Sequence, residues 1–344
     1  TLFPYTTLFR SIPADPVAFA AKYPTATAVT STGWGAGNSL SNSTENIRLV
    51  NNLDEKIDEV TYADEGDWAV RRVVNVWDAS NTGSAAPAPV GNLDTDPGLE
   101  WISDASPAVR LGFPGGSSLQ VRNIALGNSI GTNWATAAPT PGAPNAAVAQ
   151  TNSAPLISGV QHFPPVPGPA DQVTVTADVR DERDTGVTAS VFYRTWLSEG
   201  QTPATNWTQV AMSDDGLHGD GAAADGSWAV ALPAQAIGTV VEFYVSATDA
   251  GANNRTWPPP TLDITGAVFS QDANCLYQVD NEADPAGADI YRLVLTAADN
   301  TEWTNLSSSS DRRASSRTRL WIQKKDDTRA PRVIASTRCR LKAG

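Results

Sequence analysis

The part of the chain best suited to carry chemistry is an aspartate- and glycine-rich segment, Ser213–Ser227, which reads SDDGLHGDGAAADGS. Hard cations such as Ca²⁺ bind several oxygen ligands on a flexible backbone, and interleaved aspartates and glycines provide both. The spacing is not that of an EF-hand, because no glutamate closes a twelve-residue loop. The segment therefore predicts a candidate Ca²⁺ site, with four candidate ligands: Asp214, Asp215, Asp220 and Asp225.

The same segment is also typical of a tight connection between two strands. Aspartate side chains accept hydrogen bonds from nearby backbone N–H groups, and glycine adopts positive φ without steric cost. His218 lies among the carboxylates, but one histidine beside aspartates is weak grounds for a transition-metal site. Calcium ligation and turn capping are both compatible with the sequence.

Two tryptophans in a stretch rich in alanine, proline, glycine and aspartate form a second candidate site. Exposed indole rings at Trp77 and Trp101 can stack on sugar rings or bind a protein partner. The alternative is that both side chains fill the interior of a sandwich, where large aromatic residues are usually found.

Signatures of catalysis are scarce in this sequence. The chain has two histidines, His162 and His218, and contains neither H-E-x-x-H nor C-x-x-C. Carboxylate pairs for glycoside hydrolysis are defined by their separation in space, so the abundance of acidic residues does not identify them. The sequence predicts a chain that is not an enzyme and requires no cofactor.

Charge and hydropathy narrow the choice of partners. A net charge of −13 disfavours nucleic acid, because a phosphate backbone is bound by clustered lysines and arginines. The sequence contains no run of about 18 apolar residues, so it predicts no membrane-spanning helix. The two cysteines, Cys275 and Cys339, are too few to indicate a redox compartment.

The supporting elements are predicted to be β-strands. In VTVTADV, apolar residues recur at every second position from Val173 to Val179, and VEFYVSA repeats the pattern from Val241 to Ala247, as expected for strands with one buried face. Short strands separated by turn residues predict a two-sheet sandwich. The candidates are Leu156–Phe163, Gln172–Val179, Val187–Trp196, Trp207–Met212, Ser227–Leu232 and Val240–Thr248. This region, residues 154–269, resembles the immunoglobulin-like or fibronectin-type modules of bacterial surface proteins.

An earlier region resembles the lamin-tail domain, an immunoglobulin-like sandwich. Its most specific parts are Trp134 and the TPGAPN end at Thr140–Asn145. The family's opening strands are not visible, so the resemblance implies a partial domain over residues 16–145, with an unpaired strand edge and exposed core surface. The segments that carry the resemblance are LSNSTENIRLVNN (40–52), IDEVTYADEGDWA (57–69), GLEWIS (98–103) and SLQVRNIALGNSIGTNWATAAPTPGAPN (118–145).

Towards the C-terminus, IYRLVLTAADNTEW (residues 290–303) resembles the opening of the spore-coat-protein-H-like kinase domain. Phosphoryl transfer needs Mg²⁺-binding carboxylates, a cation on the phosphates and a positioned base. No P-loop, H-R-D or D-F-G sequence is present, so the resemblance transfers no catalytic residue to this chain.

The two ends of the sequence stand apart from the rest. Thr1–Ser11, TLFPYTTLFRS, resembles a translation of sequencing-adapter DNA, although its apolar residues would also suit a strand. Residues 306–344 hold 11 lysines and arginines against three aspartates, in a chain of net charge −13. A basic tail can bind nucleic acid. The abrupt change of sign favours a frameshifted or disordered tail.

The sequence thus predicts a mainly β fold: tandem immunoglobulin-like sandwiches, the first truncated, with an irregular C-terminal segment. The predicted function is a non-catalytic binding or spacer module of a secreted, multi-domain bacterial surface protein, whose partner is a cell-surface glycan or protein. The alternatives are the N-terminal fragment of a secreted kinase lacking its catalytic core, and a Ca²⁺-stiffened adhesion stalk. The predicted domains are an adapter-derived artefact (1–11), the partial lamin-tail domain (16–145), a linker (146–153), the sandwich (154–269), the start of a kinase-like domain (270–306) and the tail (307–344).

Overall fold

The structure, a computed structural model, describes the chain in separate stretches. By contact clustering the chain divides into two compact units, residues 1–69 with 102–152 and residues 70–101 with 153–344. Within the described residues no helix is long and apolar enough to cross a membrane. The described residues are 12–26, 29–31, 33, 35, 40–41, 44–63, 66–74, 98–103, 118–145, 147–183, 185–197, 204–262, 267–271, 274–281, 291–294, 319–322 and 333–334.

The described part of the first 145 residues contains one short helix, three 3₁₀ turns and six strands. The 3₁₀ turns are Gly66–Trp68, Ile124–Leu126 and Gly131–Asn133. The helix and strands are α1 (Pro16–Lys22), β1 (Thr44–Val50), β2 (Lys56–Ala63), β3 (Ala69–Val74), β4 (Gly98–Ser103), β5 (Ser118–Val121) and β6 (Trp134–Ala137).

Helix α1 begins where the sequence supplies a cap. The carboxylate of Asp15 accepts hydrogen bonds from the backbone N–H groups of Val17 at 2.9 Å and Ala18 at 3.0 Å. Pro16 follows in the first turn, where its missing N–H costs nothing.

Strands β1 and β2 form an antiparallel hairpin with Ile47 opposite Val60. The side chains of Ile47 and Leu49 are 40% and 53% exposed. These two apolar side chains of β1 therefore face solvent in this hairpin.

Strands β5 and β6 form a second antiparallel pair held together by buried polar side chains. The Nδ2 of Asn133 donates to the carbonyl of Asn123 at 2.7 Å, and both residues are buried. The indole N–H of Trp134 donates to the carbonyl of Asn128 at 2.9 Å, and its ring lies 5.6 Å from that of Trp68. Trp134, the most specific residue of the lamin-tail resemblance, therefore contacts other residues of its own region.

The second unit contains the sandwich. Its first strands are β7 (Leu156–Phe163), β8 (Val173–Arg180), β9 (Thr188–Leu197), β10 (Thr208–Ala211), β11 (Ser227–Leu232), β12 (Thr239–Thr248) and β13 (Asn254–Trp257). The later strands are β14 (Thr261–Leu262), β15 (Val268–Ser270), β16 (Cys275–Gln278), β17 (Tyr291–Val294), β18 (Arg319–Ile322) and β19 (Val333–Ile334).

The sandwich consists of a five-stranded and a three-stranded antiparallel sheet. The smaller sheet has the order β11-β8-β7. In the larger sheet, of order β10-β9-β12-β13, β12 pairs along its full length with β9. On its other edge β12 pairs first with β16, over Val240–Phe243, and then with β13, over Val245–Thr248.

One hydrophobic core joins the inner faces of the two sheets. The predicted inward face of β8, from Val173 to Val179, is buried at every second residue, and so is that of β12, from Val241 to Ala247. The mainly β fold class predicted from the alternation is confirmed.

The sandwich extends further along the chain than the sequence predicted. The predicted boundary lay at residue 269, with residues 270–306 assigned to the start of a kinase-like domain. Strand β16 instead completes the larger sheet, and Cys275 and Tyr277 belong to the core. Strand β13 was not predicted, because its polar sequence NRTW has no apolar alternation and precedes three prolines.

Two smaller sheets complete the described strands of this unit. Strands β3 and β4 join β14 and β15 in the order β15-β14-β3-β4. Strands β18 and β19 lie within the predicted irregular tail, and pair antiparallel with β17 in the order β17-β18-β19. The assignment of residues 307–344 to a frameshifted or disordered tail stays a prediction.

Candidate functional site

The aspartate- and glycine-rich segment connects the larger sheet to β11. At its start Ser213 and Ala229 form an isolated antiparallel bridge, with both N–H···O distances at 2.9 Å. Four glycines within the segment have positive φ, from 75° at Gly216 to 95° at Gly221. Because such angles strain any residue with a Cβ, glycine at these positions is required by the backbone path.

Asp220 is the centre of this connection. Its side chain is buried, with 1% of the residue exposed. Oδ2 accepts hydrogen bonds from the N–H groups of Asp215 at 2.6 Å and Gly216 at 2.8 Å, and Oδ1 accepts from the N–H of His218 at 3.1 Å. Burial alone would raise the pKa of Asp220, but these N–H donors outweigh it and the pKa is lowered.

The outer aspartates hold the end of the connection in the same way. Asp214 accepts from the N–H of Asp225 at 3.2 Å and of Gly226 at 3.0 Å. Asp225 accepts from the N–H of Ser227 at 2.9 Å and of Ala222 at 3.0 Å, and both bonds lower its pKa.

Asp215 and His218 form an exposed pair. The imidazole Nδ1 lies 2.9 Å from Asp215 Oδ1. This hydrogen bond raises the pKa of His218 and lowers the pKa of Asp215. The pair stabilises the tip of the connection at pH values where the imidazole is charged, and exposure keeps the effect small.

The four predicted ligands therefore share one loop, and each directs carboxylate oxygens to backbone N–H groups or to His218. That arrangement is the one expected for turn capping. Calcium binding by Asp214, Asp215, Asp220 and Asp225 stays a prediction.

We expect Asp220→Ala to lower the melting temperature of the chain equally in Ca²⁺ and in chelator, because it removes three hydrogen-bond acceptor contacts from a turn. Asp171→Ala is the matched control, since Asp171 caps a single exposed N–H, that of Gly168. Thermal unfolding followed by circular dichroism makes the comparison. A rise of the wild-type melting temperature with Ca²⁺ that Asp215→Ala and Asp220→Ala both abolish would establish a cation site instead.

A different set of carboxylates converges in the sandwich. Single oxygens of Asp181, Glu182 and Asp249 lie within 4.8 Å of one another. Glu182 accepts from the N–H of Ser153 at 3.3 Å, and Asp249 from the N–H of Asn253 at 2.8 Å. The sequence did not indicate this group, because Asp249 is distant from the other two along the chain.

The structure gives no side-chain account of the predicted tryptophan site. Trp77 lies outside the described residues. Trp101 lies on β4, but its side chain is also outside the described part of the chain. Contact of either ring with a partner stays a prediction.

No G-x-S-x-G elbow was predicted, although Gly127–Gly131 (GNSIG) has that spacing. In the structure it lies between the 3₁₀ turns at Ile124–Leu126 and Gly131–Asn133. A nucleophile elbow needs a strand before the serine and a helix after it. Ser129 therefore does not lie at the turn of a nucleophile elbow.

The outer face of the larger sheet carries a charged and aromatic network that the sequence did not predict. Glu242, on β12, is completely buried, and its Oε2 accepts from Arg194 Nε at 2.7 Å. Its Oε1 accepts from Asn274 Nδ2 at 2.7 Å. The guanidinium of Arg194 also lies 4.4 Å from the ring centre of Trp207, a cation–π contact.

Two further aromatic rings lie beside this network. Phe192 and Tyr244 are cross-strand neighbours, and their rings stack at 5.0 Å with an interplanar angle of 3°. Trp207 meets Tyr244 edge-on at 4.9 Å. The signal was present in the sequence, since Phe192 and Tyr244 occupy the strand positions that alternate with the core residues.

Comparisons with known proteins agree with this architecture. The family described as Conditioned medium factor 2nd Ig-like domain matches residues 170–255, well under half of the chain. No curated protein matches. Among solved structures, the chain is similar to a cycloisomaltooligosaccharide glucanotransferase from Paenibacillus sp. complexed with cycloisomaltoheptaose, at 15% identity and a TM-score of 0.20. That similarity covers 46% of this chain and 19% of the other, and a TM-score this low supports no conclusion about function. The family match supports an immunoglobulin-like domain over residues 170–255.

Proposed function

We propose that residues 153–281 form a non-catalytic module that binds or spaces within a secreted, multi-domain bacterial surface protein. The observation that carries the proposal is the sandwich itself. Side chains from both sheets share one core, and the prominent loop between the larger sheet and β11 is closed by hydrogen bonds to its own backbone. Because the aspartates of this loop are engaged with its own backbone, the loop is suited to holding its shape rather than to catalysis.

The partner class that suits this module is a cell-surface glycan or protein. The wider assignment has support from the lamin-tail resemblance of residues 16–145 and from the order of the modules along the chain. The resemblance of residues 270–306 to a kinase opening stays a prediction, with β16 now part of the sandwich and residues 295–306 outside the described residues.

Surface display is tested with antibodies raised against residues 153–281. We expect them to label intact cells of the source organism, since an extracellular module is accessible without permeabilisation. An antibody to a cytoplasmic protein provides the matched control. Labelling that requires permeabilised cells would contradict the extracellular assignment and leave the spacer fold unaffected.

A further inference from the structure

The outer face of the larger sheet changes character along its strands. At one end Trp196, Val240 and Leu276 form a small buried cluster. Beyond Arg194 and Glu242, the rest of the face has two halves. One half carries the rings of Phe192, Trp207 and Tyr244. The other half carries small side chains with hydroxyl groups. Ser190 lies two residues before Phe192 on β9, and Ser246 lies two residues after Tyr244 on β12. Because alternate residues share a face, the serines and the rings lie on the same surface.

The register extends this half across four strands as a row of small side chains, three of which carry a hydroxyl group. Ala211 of β10 pairs with Ser190, Ser190 pairs with Ser246, and Ser246 pairs with Thr256 of β13. At about 4.8 Å between strands, this row spans roughly 14 Å. All four side chains are small and lie beside the row that holds Phe192 and Tyr244. We call the surface made by these four residues, with the rings along one side, the trough.

Amide groups are held at both sides of the trough. Gln209 Nε2 donates to Ser190 Oγ at 3.1 Å. Asn254 Nδ2 donates to Ser246 Oγ and to Thr248 Oγ1, both at 2.8 Å. The exposed amides and hydroxyls retain further donor and acceptor capacity.

The charges of this face neutralise each other. Arg194 and Glu242 face each other at 2.7 Å, and the other outward residues of the four paired strands here are uncharged. The chain as a whole carries a net charge of −13. A polyanion, whether nucleic acid or acidic glycan, would be repelled, whereas a neutral ligand would not.

A sugar ring presents an apolar C–H face and a rim of hydroxyl groups. Half-buried aromatic rings suit apolar contact with the C–H face. A row of hydroxyl and amide groups suits hydrogen bonding with the hydroxyl rim. We propose that this trough, bounded by Phe192, Tyr244 and Trp207, binds a neutral polysaccharide chain. The inference rests on the proposed binding function and supplies its ligand class.

The test is affinity electrophoresis of the whole chain in gels containing dextran, starch, xylan or hydroxyethylcellulose, with alginate as the acidic comparison. We expect retardation by at least one neutral polysaccharide and none by alginate. Tyr244→Ala is expected to weaken that binding at least tenfold. Ala211→Glu, which fills the trough without touching the rings, is expected to do the same. Ile237→Ser, at an exposed site outside the trough, is the matched control.

Three outcomes would overturn the inference. They are binding to none of the neutral polysaccharides, retention of binding by Ala211→Glu, and a dimer in size-exclusion chromatography that Tyr244→Ala converts to a monomer. A folded chain that binds no polysaccharide still agrees with a spacer. Release of reducing sugar from any polysaccharide would instead contradict the non-catalytic function.

Discussion

A fragment of residues 153–281 is expected to unfold cooperatively, whereas a fragment ending at residue 270 is expected not to fold. The shorter fragment lacks β16 and with it the buried side chains of Cys275, Leu276 and Tyr277. It also uncovers the edge of β12 at Val240–Phe243. Full burial of each large apolar side chain contributes about 1.5–3 kcal/mol, and a domain has only about 5–15 kcal/mol in total. The loss of one strand therefore removes most of the stability.

Urea denaturation followed by tryptophan fluorescence measures the difference. A 153–281 fragment carrying Leu217→Ala, a change at an exposed loop residue, is the control and should unfold like its parent. If the fragment ending at residue 270 showed the same midpoint and slope as the longer one, β16 would not be part of the domain.

The stability of the same module is expected to fall in mild acid because of His162. This residue lies on β7, with its ring stacked on that of Tyr277 at 5.2 Å and edge-on to that of Phe243 at 6.0 Å. Burial lowers the pKa of His162 to about 4, although the hydrogen bond with the Pro165 carbonyl opposes the shift. In the unfolded chain a histidine has a pKa near 6.5.

Between pH 6.5 and 4 the unfolded state therefore binds a proton at this position that the folded state does not. The free energy of unfolding is therefore highest above pH 6.5 and falls as the pH falls towards 4. Below pH 4 this residue changes it no further. A pKa shift of this size changes the free energy of unfolding by about 3 kcal/mol.

His162→Phe should remove this part of the pH dependence, since a phenyl ring cannot take up the proton. His218→Ala is the matched control, because His218 is exposed and its pKa moves in the opposite direction. Urea unfolding of the 153–281 fragment from pH 4 to pH 8 gives the free energies. An unchanged pH profile in His162→Phe would show that other groups cause the acid sensitivity.

Much of the sandwich could be predicted from sequence because its strands bury one face. The alternation at Val173–Val179 and at Val241–Ala247 specifies both the strands and their core-facing sides. The residues of strand β16 were instead assigned to the start of a kinase-like domain. Its pairing with β12 is a long-range contact, and local apolar pattern does not reveal long-range contacts.

The candidate sites were harder to predict than the strands. The aspartates of residues 213–227 are close in sequence, so they were found, but the choice between cation ligands and turn caps depends on where their oxygens point. The trough between Ser190 and Tyr244 consists of residues from four strands that converge only in the folded sheet. The sequence signal for this surface lies at the outward positions of the strands, which alternate with the core positions from which the strands were predicted.

Residues 153–281 form one sandwich in which β16 and β12 are neighbours. Hydrogen–deuterium exchange of the whole chain, read by mass spectrometry, tests it directly. We predict that peptides covering Val240–Phe243 and Cys275–Gln278 exchange slowly and lose protection together as urea is added, because both open only when the sandwich unfolds. Rapid exchange at Cys275–Gln278 while Val240–Phe243 stays protected would contradict the account.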